Sequence, residues 1–141
     1  MKLTTFTDYS LRVLIYLGIR GQKASIAEIS EAYDISKNHL MKAVHNLVQL
    51  GYVDSIRGKT GGIVLGQAPE SINLGEIIQR LEPDMDIVEC FNKKIDSCAI
   101  TPACRLKNII EEAEGAFLSA LGKYTLADLI QNRQSLISLL I

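Results

Sequence analysis

Apolar residues crowd the first twenty positions at helical spacing. Phe6, Leu11, Val13, Leu14, Ile15 and Leu17 fall on most sides of one helix from Thr5 to Arg20, as expected of an element buried on several faces. Thr5 and Asp8 have capping-box spacing at its start, and Gly21 ends it. Ser25-Ile-Ala-Glu28 is a second capping box and opens a short helix to about Tyr33. Asp34-Ile-Ser36 reads as a tight turn, with Ser36 the N-cap of a third helix that runs to Leu50 and stops at Gly51. Two short helices joined by three or four residues read as a helix-turn-helix.

The third helix divides into two faces. Leu40, Val44, Leu47 and Val48 repeat at i, i+4, i+7, i+8 as a buried stripe with Met41 beside it, while Asn38, Lys42, His45 and Gln49 share the opposite face. That second face is rich in donors and free of carboxylates, which suits a phosphate-lined groove where Asn and Gln also read base edges. It equally describes a solvated face, so it does not decide the matter alone. The next segment does. Tyr52–Ile56 and Gly62–Leu65 are short β-runs joined by Arg57-Gly-Lys-Thr-Gly61, a hairpin with a basic, glycine-rich tip. A basic hairpin after a helix-turn-helix reads as the wing of a winged-helix domain. The loop lacks the spacing and the strand-then-helix setting of a nucleotide phosphate loop. Candidate DNA contacts are Ser36, Asn38, His39, Lys42, His45, Arg57 and Lys59; a capping or surface role stays open for His39 near the helix start.

Ile72–Leu81 is amphipathic and ends at Glu82-Pro83, because the residue before proline avoids helical geometry. A loop is expected from Asp84 to Ile100. Thr101-Pro102 then looks like the N-cap and first position of a long helix to Leu121, about 30 Å long. Leu106, Ile109, Ile110, Ala113, Phe117 and Leu121 give this helix a wide apolar stripe opposite Lys107, Glu111, Glu112 and Glu114. Its expected cover is the same helix of a second subunit, since helix-turn-helix proteins commonly bind two half-sites as two-fold dimers. Thr125-Leu-Ala-Asp128 opens another short helix, and the apolar tail Leu136–Ile141 is expected to fold back.

The fold class expected is therefore mainly α with a small β-hairpin wing: a winged helix-turn-helix (residues 1–66), a connector helix and cysteine-bearing loop (67–100), and a dimerisation helix with a C-terminal packing segment (101–141). With 141 residues, 48% of them hydrophobic, the chain can bury a real core. The net charge of −1 hides an asymmetry: residues 1–66 carry eight Lys/Arg against five Asp/Glu, and residues 67–141 seven against eleven. Any polyanion is then met by the front half.

Three cysteines, Cys90, Cys98 and Cys104, lie within fifteen residues, and there are no others. An odd number cannot close entirely into internal disulfides. Met1–Thr7 has no apolar core of a signal peptide, and no apolar run is long enough to span a bilayer, so a cytoplasmic protein without membrane contact is expected. In that setting, clustered thiols bind metal or sense redox state. Cys104, read as the third residue of the long helix, sits where unpaired N–H groups favour a thiolate or a bound anion. Three thiolates are one short of the usual four ligands for zinc or an iron–sulfur cluster. A structural zinc site, a thiol switch and an electron-transfer cluster all remain readings of these residues, although electron transfer leaves the basic wing without a purpose. No nucleophile–base constellation or phosphate loop suggests an enzyme.

Seven blocks together resemble a known family: Phe6–Tyr16, Ser36–Lys42, Gly51–Val53, Arg57–Ile63, Leu81–Pro83, Ile100–Lys107 and Tyr124–Leu129. It is the winged-helix family of nitric-oxide-sensitive repressors and iron–sulfur assembly regulators, and the similarity runs nearly end to end. The assembly regulators place a histidine ligand three residues after the last cysteine; Lys107 stands there in this chain, so the likeness is to the nitric-oxide-sensitive branch. The resemblance implies a homodimeric repressor of operator DNA that holds a [2Fe–2S] or [4Fe–4S] cluster through Cys90, Cys98 and Cys104, with nitric oxide as effector. It also implies a fourth ligand from the other subunit's first helix, at the position of Asp8.

Overall fold

The computed structural model describes residues 1–141. Helix α1 (Thr5–Arg20) is apolar around most of its circumference, and the fold surrounds it accordingly. Val13, Leu14, Tyr16, Leu17 and Ile19 are all buried. Its N-cap is Thr4, whose hydroxyl accepts the Thr7 N–H at 3.2 Å. The capping box expected of Thr5 and Asp8 is thus absent. Asp8 lies one turn inside the helix and instead pairs with Arg12, four residues on, at 2.9 Å.

Helix α2 (Ile26–Tyr33) has the expected capping box: Ser25 Oγ accepts the Glu28 N–H, and Glu28 accepts the Ser25 N–H at 2.6 Å. Those bonds hold the Glu28 carboxyl below its ordinary pKa, the Ser25 backbone N–H being the main cause. Helix α3 (Lys37–Gln49) buries Leu40, Ala43, Val44 and Leu47 against α1 and α2. Ser36 is its N-cap by position but makes no side-chain capping bond, and Met41 is exposed rather than part of the stripe.

Strands β1 (Val53–Ile56) and β2 (Gly62–Leu65) pair antiparallel, from Val53 opposite Leu65 to Ile56 opposite Gly62. Ala24, between α1 and α2, adds a bridge to Ile63 with bonds of 3.0 and 2.8 Å, so the hairpin is fastened to the helical body. Its tip needs glycine twice: Gly58 has φ +107°, and a side chain at Gly61 would collide with the Ile56 carbonyl.

Helix α4 (Leu74–Leu81) begins two residues later than its apolar pattern predicts, because Asn73 caps it by accepting the Glu76 N–H. Ile72 remains fully buried outside the helix. Glu82 is extended before Pro83, and a strap with short 3-10 turns at Glu89–Phe91 and Thr101–Ala103 leads to α5 (Arg105–Leu121). Helix α5 is therefore shorter than expected, about 26 Å. Pro102 lies in the preceding turn, and Cys104 is the N-cap, with extended backbone (φ −77°, ψ 111°), instead of the third helical residue.

Helices α6 (Leu126–Leu129) and α7 (Arg133–Leu140) return to α1. Asp128 accepts the Thr125 N–H at 2.7 Å where α6 opens, and Arg133 Nε donates to the Ile19 carbonyl at 2.7 Å. A single core joins Leu14, Ile29, Leu40, Val53, Ile77 and Leu126. No helix is long and apolar enough to cross a membrane.

Candidate functional site

On α3 the amphipathic division produces an open polar face: Asn38, His39, Lys42, His45 and Gln49 are all exposed, as is Ser36 just before them. Arg57 and Lys59 are exposed on the hairpin tip. A cation that sequence reasoning missed joins them: Lys23, in the α1–α2 connection, donates from Nζ to the Thr60 carbonyl. Its thirty-seven-residue separation from Thr60 leaves no local trace of the contact.

Around Asp8 the first helix carries a second cluster. The Arg12 guanidinium lies 5.8 Å from the ring centres of both Tyr9 and Tyr33, and the Tyr33 hydroxyl donates to the Arg12 carbonyl at 3.1 Å. Burial, only partly offset by the Arg12 charge, pushes the Tyr33 phenol up to about 12. Tyr9 also stands 6.2 Å from His39, centre to centre. Asp8 is thereby linked through α1 side chains to the start of α3. From the sequence Asp8 reads as a capping residue; its pairing with Arg12 and the aromatic partners comes from the fold.

The strap presents the thiols. Cys90 lies in a 3-10 turn and Cys98 is exposed on the loop, while Cys104 occupies the N-cap position of α5; all three are free. Acidic side chains organise the loop from within. Glu89 Oε1 accepts the Ser97 N–H and hydroxyl, each at 2.7 Å, and these bonds lower its carboxyl pKa, the backbone donor most. Asp96 accepts the Cys98 N–H at 3.1 Å and the Thr101 hydroxyl at 3.0 Å. The first turn of α5 receives no side-chain capping bond, so the positive end of its dipole faces Cys104 uncompensated. Within one subunit the expected ligands do not converge: no three His, Cys, Asp or Glu side chains stand close enough to share a metal ion.

The apolar stripe of α5 splits in two. Ile110, Leu118 and Leu121 are half-buried against the subunit itself, whereas Leu106, Ile109 and Phe117 are 61%, 58% and 42% exposed. No residue of α5 is fully buried. Ala113 and Phe117 also line a groove of about 750 Å³ walled by the N-terminal residues and the start of the strap.

Residues 3–132 match the family model Rrf2, described as an iron-dependent transcriptional regulator. The chain is 52% identical over 142 residues to the HTH-type transcriptional regulator NsrR of Bacillus subtilis (strain 168), covering 99% of this chain and 97% of the relative. Among solved structures it is similar to CymR, the global cysteine regulator of B. subtilis (30% identity, TM-score 0.68, 92% of this chain and 95% of the other). It is also similar to IscR of T. potens (25% identity, TM-score 0.72, 94% and 88%). With the winged-helix body, the exposed α3 face and the cysteine strap together in one fold, the chain belongs to the Rrf2 family of transcriptional regulators.

Proposed function

We propose that this protein is a homodimeric transcriptional repressor whose grip on operator DNA is governed by an iron–sulfur cluster that reacts with nitric oxide. Three free thiols on the one strap that ends at the N-cap of α5 are the observation that carries this reading. The donor set fits: the thiols are soft ligands, none is buried or engaged in a disulfide, and Cys104 lies at a helix end that favours negative charge. Cys90, Cys98 and Cys104 would hold the cluster, with Asp8 of a second subunit completing the ligand set. Bound there, the cluster supplies iron that reacts with nitric oxide.

The chain does the remaining work. Residues 1–66 form the DNA-reading part, with Asn38, His39 and His45 toward the major groove and Ser36, Lys42, Arg57 and Lys59 toward backbone phosphates. Residues 67–100 carry the connector helix and thiols, and residues 101–141 the dimerisation helix and its packing segment. The exposed Leu106, Ile109 and Phe117 face suits a second copy, which would bring the strap of one subunit to α1 of the other. Two recognition helices must match half-sites about 34–36 Å apart, so a small change in subunit spacing breaks contacts on one side. The likeness to the transcriptional regulator NsrR over nearly the whole chain supports this reading.

Anaerobic purification, with visible absorption and iron and sulfide analysis, tests the reading. The expected protein is coloured, contains iron and sulfide, and loses operator affinity on exposure to nitric oxide. A colourless, zinc-loaded protein would overturn it.

A further inference from the structure

The start of α1 is fastened to the root of the cysteine strap by a single carboxylate. Glu82 Oε1 accepts the Thr4 N–H at 2.8 Å and the Thr4 hydroxyl at 3.1 Å. The backbone of Glu82 is itself held, because its N–H donates to the Ile78 carbonyl at 2.9 Å and α4 is buried at five of its eight positions. On the other side of the joint, the Thr4 hydroxyl caps Thr7, and the Thr4 carbonyl accepts the Asp8 N–H at 3.0 Å. Glu82 therefore satisfies one free donor at the positive end of α1 and sets where the turn bearing Asp8 begins. Eight residues further along the same chain stands Cys90.

We propose that Glu82 is a positioning residue that sets the ligand one subunit lends to the metal site of the other. It joins the root of a subunit's own cysteine strap to the α1 turn whose Asp8 serves the partner's cysteines. This rests on the reading above that Asp8 acts across the dimer. Anchored at the end of α4, Glu82 holds Thr4 and with it the turn that carries the ligand lent to the other subunit.

Mixed dimers of two differently tagged full-length copies provide the test. One copy carries Cys90→Ser, Cys98→Ser and Cys104→Ser, so that it has no site of its own yet still lends Asp8 to the intact copy. Glu82→Ala is placed either in this lending copy or in the copy with the cysteines, and cluster loss to a chelator is followed by absorbance. In the lending copy it should speed loss about tenfold, the lower end of what outer supports of a metal ligand contribute. In the cysteine copy the effect should be clearly smaller, and Glu82→Gln, which keeps an acceptor, should restore most of the loss. In metal-free protein, Glu82→Ala should also raise amide exchange at Thr7 and Asp8.

Equal effects from both placements would mark a general loss of fold and overturn the proposal, as would unchanged exchange at Asp8. Asp8→Ala in the lending copy separates the two levels. If it has an effect where Glu82→Ala has none, only the positioning role of Glu82 fails. If it has no effect, the cross-dimer reading fails and the positioning role with it.

Discussion

The carboxylate of Asp8 lies 2.9 Å from the guanidinium of Arg12, one helical turn away on α1, and both side chains are about half exposed. An exposed i,i+4 pair of this kind contributes roughly 0.3–0.5 kcal/mol. Asp8 is therefore free to leave Arg12 at small cost. Asp8→Ala should shift unfolding free energy by no more than about 0.5 kcal/mol while changing the visible spectrum and the nitric-oxide response of the loaded protein. A thermal melt and an absorption titration on the same preparation check both halves; an unaltered spectrum would remove Asp8 from the ligand set.

Lys42 and Arg57 are exposed cations on separate elements, α3 and the hairpin tip, away from the cysteine strap in sequence. Lys42→Ala and Arg57→Ala should each weaken binding to operator and unrelated DNA alike, and each should lower the slope of log affinity against log salt by about 1. Absorbance of the loaded protein should not change. Fluorescence anisotropy at several salt concentrations measures the slopes, and loss of the chromophore in either variant would contradict this division of labour.

Ile109 is more than half exposed on the outer face of α5. Ile109→Asp should leave the far-ultraviolet circular dichroism of the subunit unchanged and convert the dimer to monomer in sedimentation. Affinity for a two-half-site operator should fall steeply. A dimer that survived this substitution would place the subunit interface elsewhere.

Gly75 and Gly115 should respond oppositely to alanine. A Cβ at Gly75 would stand 2.8 Å from the Leu118 carbonyl oxygen and 2.9 Å from the Gly122 nitrogen, both backbone atoms, where α4 crosses the end of α5. Gly75→Ala should cost about 1–3 kcal/mol through that collision. At Gly115 the space is open, and Gly115→Ala should add roughly 0.5–1 kcal/mol from helix propensity. Denaturant unfolding of the two variants side by side reads the contrast.

Tyr33 titrates near 12 in the fold against 10.0 unperturbed, because burial disfavours the phenolate. A raised folded-state value means that the stabilisation is fully present below pH 10 and is lost as pH climbs from there through about 12. Stability of the native protein should fall over that window, and less so for Tyr33→Phe. Tyrosinate absorbance should show a late-titrating component that is missing in the variant.

The helix order, the hairpin and the stops at Gly21 and Gly51 were legible because each rests on local chemistry. Apolar periodicity, a glycine after a helix and the Ser25–Glu28 box act within a few residues. The errors cluster at helix starts. Thr5–Asp8 had the right spacing for a box, yet Thr4 took the cap because Glu82, seventy-eight residues away, holds its N–H. Cys104 looked like a helical residue after Thr101-Pro102, but the Thr101–Ala103 turn closes first and leaves it as the N-cap.

The sequence by itself determined which elements form, which faces are polar or apolar, and that three thiols lie on one strap, since these follow from residue types and short spacings. Only the tertiary structure decided which donors meet. It brings Arg12 near both Tyr9 and Tyr33, brings Lys23 to the hairpin, joins Glu82 to Thr4, and divides the α5 stripe into a covered and an uncovered half. Those pairings depend on how buried faces stack in three dimensions, and hydrophobic burial carries no record of sequence separation.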